Sequence, residues 1–192
     1  MNRGFPLGTT VFTALPVLWY IYMTLVYGTT TNSMLLYENG ALYGAEFTTD
    51  EWWRLITPLF AHIGFDHLLS NMFLLLTVGR VLEGIIGTFK FTILYLLSGI
   101  AGNLAVVFFD PTSVTAGASS ALYGILGFLA IHALFRHSNY IYFLGKAYLG
   151  IIAFNIIYTF MVPGISIMGH LGGFIAGMFL GLFITEKHIE IN

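Results

Sequence analysis

The chain has 192 residues, of which 57% are apolar and only 8% charged, and its formal net charge is −2. That balance is far from a soluble globular domain and assigns the chain to a membrane, while the small charge offers neither a basic surface for nucleic acid nor an acidic tail. With no cysteine, disulfide frameworks, thiolate-bound zinc or iron–sulfur clusters and cysteine nucleophiles are excluded.

A spanning helix needs about 20 mostly apolar residues, and six such stretches lie between charges and turn residues. The first runs near Leu7 to Gly28. It is too long for the apolar region of a signal peptide and lacks a clean small-residue cleavage site, so it reads as a retained helix. A long connection, about Thr29 to Phe65, follows and carries Leu35, Leu36, Tyr37, Phe47, Trp52, Trp53 and Phe60. Such side chains predict a structured segment lying on or partly in the outer leaflet. The remaining helices are expected near Leu68 to Leu82, Phe89 to Phe109, Ser119 to Phe135, Phe143 to Val162 and Ile167 to Thr185, the second and fourth being short. No second domain, repeat or low-complexity stretch interrupts residues 1–192, which read as a single all-α integral membrane domain.

Short loops rich in lysine and arginine stay in the cytoplasm. With the N-terminus inside, Arg3, Arg80, Lys90, Arg136, Lys146 and Lys187 all fall inside and only Arg54 outside. Both termini are then expected in the cytoplasm. Glu38, Glu46, Asp50, Glu51, Asp66 and Asp110 collect on the opposite side.

Polar groups at membrane depth are expensive and mark sites or pathways. His67 and Asn71 are four residues apart on the second helix, Ser119 opens the fourth, and His170 lies in the first turn or so of the sixth. Under the topology above each of these helices runs from outside to inside, so the four residues share a layer near the outer surface. A serine hydroxyl is hardly ionised at neutral pH and needs a neighbouring base, which histidine supplies. Gly117-Ala118-Ser119-Ser120 sets Ser119 at a helix start, where unpaired N–H groups can hold a developing oxyanion, and His67 and Asn71 can add side-chain donors. No acidic residue lies within the fourth, fifth or sixth helices, so the expected machinery is a Ser119–His170 dyad. Tyr123, one turn beyond Ser119, either packs beneath His170 or simply faces a neighbouring helix or lipid.

His170, Gly173, Gly177 and Gly181 share one stripe of the sixth helix, and Gly117, Ala121, Gly124 and Gly127 lie on the fourth. Small residues at this spacing let two backbones touch. Close packing of these helices would bring serine and histidine together.

At these residues the chain resembles the rhomboid family of intramembrane serine proteases. The resemblance runs from Trp53-Arg54 through His62, His67 and Asn71 to Gly117-x-Ser119 and Gly169-His170-x-x-Gly173-x-x-x-Gly177, about two-thirds of the chain. It implies a six-helix bundle with a partly embedded first loop, Ser119 as nucleophile, His170 as base, His67 and Asn71 at the oxyanion, and Tyr123 beside the histidine, with Gly117 supporting the serine. It implies that the fifth helix takes part in substrate entry, with no metal and no cofactor. The implied partners are the lipid bilayer and single-span transmembrane proteins cleaved near the outer surface of the plasma (inner) membrane.

Ser120 stands where the family usually has glycine, which leaves Ser120 as a rival nucleophile one residue from Ser119. Gly169 stands where alanine is often found. His62 is expected to hydrogen-bond within the first loop. Three other readings stay open: a polar-lined transporter or channel with the histidines as a proton relay, a metalloprotease using His62, His67 and His170, and a rhomboid relative that binds membrane helices without cutting them. The first lacks an internal repeat or buried carboxylate, the second lacks a His-Glu-x-x-His spacing, and the third would be expected to have lost serine or histidine.

Overall fold

Helix α1 (Leu7–Tyr27) begins at an apolar run whose first N–H groups have no partner within the helix. Their partner is Glu83, which is 3% exposed. Its carboxylate accepts from the Gly8 and Thr9 N–H groups, both at 2.8 Å, from the Thr9 hydroxyl at 2.6 Å and from the Thr88 hydroxyl at 2.7 Å. A negative charge at a helix N-terminus is favoured, and here it ties three helical segments together. The structure, a computed structural model, describes residues 5–135 and 140–186. Arg3, Arg136 and Lys187, three of the cations used to set the orientation, lie outside the described residues.

The long connection is ordered. It holds a short helix α2 (Ser33–Glu38), a strand β1 (Leu42–Tyr43) and three 3₁₀ turns at Gly44–Glu46, Thr49–Leu55 and Thr57–Leu59. Arg54, only 9% exposed, is its anchor. The guanidinium donates to Glu51 through two N–H groups at 2.8 and 3.1 Å and to the carbonyls of Tyr37 and Ala41 at 2.8 and 3.1 Å, and its carbon lies 4.0 Å from the Tyr37 ring centroid. Hydrogen bonding to Arg54 holds the Glu51 carboxyl below its ordinary range. Trp52 and Trp53 remain exposed.

Helix α3 (Phe65–Leu74) passes through a π-helical turn (Leu75–Gly79) into α4 (Arg80–Ile86), so the second helix is longer at both ends than the sequence pattern suggested and takes in Asp66 and Glu83. Gly64 and Gly87 bracket it. There follow α5 (Thr88–Phe109), strand β2 (Val114–Thr115), α6 (Ser119–Phe135), α7 (Tyr140–Ala147), α8 (Leu149–Met161) and α9 (Ile167–Leu180). The stretch expected as one fifth helix is divided at Tyr148 into α7 and α8. Among the described helices, α1, the continuous α3–α4 and α5 are 21, 22 and 22 residues long and apolar enough to cross a membrane alone. Helices α6, α8 and α9 have 17, 13 and 14 residues, so full spanning length is reached by three of the six expected spans.

Helix α6 is the central element. From Ser120 to Ala130 every residue is buried, which is the pattern of a helix walled in on all sides. Its apolar side chains Leu122, Ile125 and Leu129 join Leu75, Leu82 and Phe91 in the main core, against which Phe12 of α1 stacks on Tyr95 at 4.1 Å. On its other side α6 meets α9 backbone to backbone. A Cβ placed on Gly173 would strike the Ser120 carbonyl and one on Gly177 the Gly124 carbonyl, so glycine at these positions is what permits the approach.

Candidate active site

The start of α6 is held from three directions. Strands β1 and β2 pair antiparallel, with Leu42 opposite Thr115 and Tyr43 opposite Val114. The Gly117 N–H donates to the Pro58 carbonyl at 2.8 Å. Gly117 itself has φ +145°, and a Cβ there would run into the His67 imidazole. Only glycine combines that backbone with a histidine ring so close. The chain is thereby delivered to Ser119, the first residue of α6, with Ser119 half-buried on a cavity wall.

His62 fastens this corner. Its ring is fully buried, lies 3.3 Å through Nδ1 from the Phe60 carbonyl, and through Nε2 faces both the Ala118 N–H at 3.3 Å and the Asn71 amide nitrogen at 3.1 Å. The Ala118 N–H can only donate, so Nε2 is the accepting nitrogen and Nδ1 carries the proton toward Phe60. Burial, and then the charge of nearby His67, push the His62 imidazole down to about 3, in keeping with a neutral ring. His62 therefore reaches beyond the first loop, linking it to α3 and to the start of α6.

His170 enters from α9, whose N-cap Ser166 accepts from the Gly169 N–H at 3.2 Å. Its imidazole stacks on Tyr123 with centroids 3.8 Å apart and planes at 15°. Nδ1 lies 2.8 Å from the Thr159 hydroxyl of α8. The Tyr123 hydroxyl meets both that hydroxyl and the Asn155 carbonyl. Among the described residues no carboxylate hydrogen-bonds His170; Asp66 sits exposed at the cavity and Asp110 accepts from Ser113 at 3.2 Å.

Ser119, His170, His67, Asn71 and Tyr123 line one cavity of about 840 Å³, within the size of small-molecule sites. It continues between α3 and α8, past Phe73, Leu74 and Phe154. Ser120 is not on its wall. It is 3% exposed, its hydroxyl has no hydrogen-bond partner, and its backbone and Cβ lie against Gly173 and Gly102. Asn71, expected as a free donor, spends one amide contact on His62 and keeps a second N–H. Among the described residues no group of three or more His, Cys, Asp or Glu side chains is arranged to hold a metal.

Two participants escaped the sequence reading. Thr159 was one hydroxyl in an apolar helix, and such threonines usually bond their own backbone, as Thr159 also does to Asn155 at 3.0 Å. The reach of His62 to Ala118 spans 56 residues and has no local signature.

Residues 49–187 match the Rhomboid domain. Across 178 residues, 93% of this chain, the sequence is 37% identical to the rhomboid protease GluP of Bacillus subtilis, and across 187 residues, 96% of this chain, it is 31% identical to YdcA of the same organism. Rhomboid-like protease 3 of Toxoplasma gondii is 33% identical over 159 residues, 81% of this chain and 60% of that protein. The aligned region is 35% of GluP and 92% of YdcA.

Proposed function

The chain belongs to the rhomboid family, and from that premise we propose that it is an intramembrane serine endopeptidase in which Ser119 attacks the peptide and His170 moves the proton. The observation that carries this reading is the single cavity whose wall presents Ser119, the Tyr123-stacked His170, His67 and Asn71 together. In the proposed reaction His170 Nε2 takes the hydroxyl proton as Ser119 Oγ bonds to the scissile carbonyl carbon. The oxyanion is met by His67, the free Asn71 N–H and the first-turn N–H groups of α6. Collapse breaks the C–N bond, the leaving amine takes the proton from His170, and an acyl-enzyme remains on Ser119. Water, deprotonated by His170, then hydrolyses the ester and restores the serine.

The substrates are single-span transmembrane proteins that unwind near a small residue close to the outer surface, since a helix shields its carbonyls in hydrogen bonds. The opening between α3 and α8 supports their lateral entry. The enzyme is a multi-pass protein of the plasma membrane with six spanning segments and both termini cytoplasmic, and the distribution of its lysines and arginines supports that orientation.

The test is cleavage of a transmembrane reporter by the protein reconstituted in liposomes. Ser119→Ala and His170→Ala are expected to abolish turnover and Ser120→Ala to keep it. Cleavage by Ser119→Ala with loss in Ser120→Ala would move the nucleophile to Ser120, and full activity of His170→Ala would overturn the dyad.

A further inference from the structure

A dyad lacks the carboxylate that, in a triad, keeps the base in the correct tautomer. We propose that Thr159 does this for His170, as a positioning residue whose hydroxyl oxygen accepts the Nδ1 proton and leaves Nε2 bare; the proposal rests on the Ser119–His170 reading. Four polar contacts join Thr159, Tyr123, His170 and the Asn155 carbonyl. They are Thr159 Oγ1 to His170 Nδ1 at 2.8 Å, Thr159 Oγ1 to Asn155 O at 3.0 Å, and the Tyr123 hydroxyl to Thr159 Oγ1 and to Asn155 O.

The protons can be counted. Each hydroxyl brings one and the carbonyl none. If His170 carried its proton on Nε2, two hydroxyl protons would have to serve four contacts. Two pairs of lone-pair-bearing atoms would then face each other bare. A proton on Nδ1 fills a third contact, and the cluster is left with one bare pair within the triangle of the Thr159 hydroxyl, the Tyr123 hydroxyl and the Asn155 carbonyl. Thr159 is 2% exposed and His170 6%, so the contacts of Thr159 Oγ1 with His170 Nδ1 and with the Tyr123 hydroxyl are buried from water, and an unmade contact there is costly. The cluster therefore favours the tautomer with Nδ1 protonated.

Nε2 is then the basic nitrogen, on the imidazole held by the Tyr123 stack at 3.8 Å. When it gains the serine proton, the Nδ1–H to Thr159 bond persists and strengthens, since its donor is now cationic. Thr159 so takes the orienting half of the carboxylate's task without its charge.

The experiment uses the full chain in detergent or liposomes. Thr159→Val keeps the shape and removes the acceptor, and Thr159→Ser returns an oxygen. We expect Thr159→Val to lower kcat roughly tenfold to a hundredfold with KM little changed, and Thr159→Ser to recover most of it. Histidine nitrogen-15 spectra of the unaltered protein, with the His170 signals assigned by their loss in His170→Ala, should show a protonated Nδ1 and a bare Nε2. A proton on Nε2, or wild-type kcat in Thr159→Val, overturns the proposal, as does equal loss in the serine and valine variants, which would mark a packing role. The spectra decide the matter even if a variant does not fold. Loss of the dyad reading has a separate signature, cleavage by Ser119→Ala or His170→Ala, whatever the tautomer.

Discussion

His170 lies flat on Tyr123, with ring centroids 3.8 Å apart and planes at 15°, although the two residues belong to different helices, α9 and α6. The stack fixes the plane of the imidazole, and the Tyr123 hydroxyl adds a second hold through α8.

These two holds are separable. Tyr123→Phe keeps the ring and is expected to cost under about tenfold in kcat, whereas Tyr123→Ala removes the platform and should cost at least tenfold more, with a destabilisation of about 3 kcal/mol from the cavity it leaves. Steady-state kinetics and thermal unfolding check the pair. Equal activity of the two variants would show that the stack is not what positions His170.

Gly117→Ala combines a strained φ with a collision at the His67 ring. About 1–3 kcal/mol of destabilisation is expected from the backbone alone, together with loss of cleavage as His67 is displaced. A variant with wild-type melting temperature and turnover would contradict the geometry at this turn.

The buried, neutral His62 predicts acid sensitivity. Its folded-state value, about 3, is below the ordinary histidine value of about 6.5. Between these the unfolded chain binds a proton that the folded chain does not, so stability is retained above about pH 6.5 and declines as the pH falls toward 3. Melting temperature followed against pH should show this slope, and His62→Gln should flatten it while lowering stability at neutral pH. An unchanged slope in His62→Gln would assign the acid sensitivity to other groups.

Gly177→Ala tests the α6–α9 contact. A methyl group aimed at the Gly124 carbonyl must push the helices apart, and overpacking of this kind costs about 1–3 kcal/mol. Because His170 rides on the same helix, cleavage should fall as well. Ala substituted at the exposed Ile175 serves as the control and should change neither.

Much of this organisation was legible in composition and periodicity. Apolar runs of spanning length follow from the absence of water in a bilayer, and α1 and α5 are such runs. Small residues at four-residue spacing on α6 and α9 announced a close contact, because nothing else lets two helix backbones meet. His67, Asn71, Ser119, Tyr123 and His170 stood out as polar groups where apolar ones are cheaper. The length of the second helix was not legible, since Glu83 lies just past its expected end at Leu82 and only the N-terminus of α1 shows why Glu83 can be buried.

What the sequence determined by itself was the solvent, the class of fold and a short roster of polar residues, all of them consequences of local chemistry. The tertiary structure decided which of those residues share a wall. It turned Ser119 toward the cavity and Ser120 into a helix contact, a distinction of one residue that rests on the rotation of α6 as set by β2, Gly117 and His62. It also brought Thr159 to His170, eleven residues apart across the α8–α9 turn. Neither follows from spacing, because both depend on where one helix lies against another.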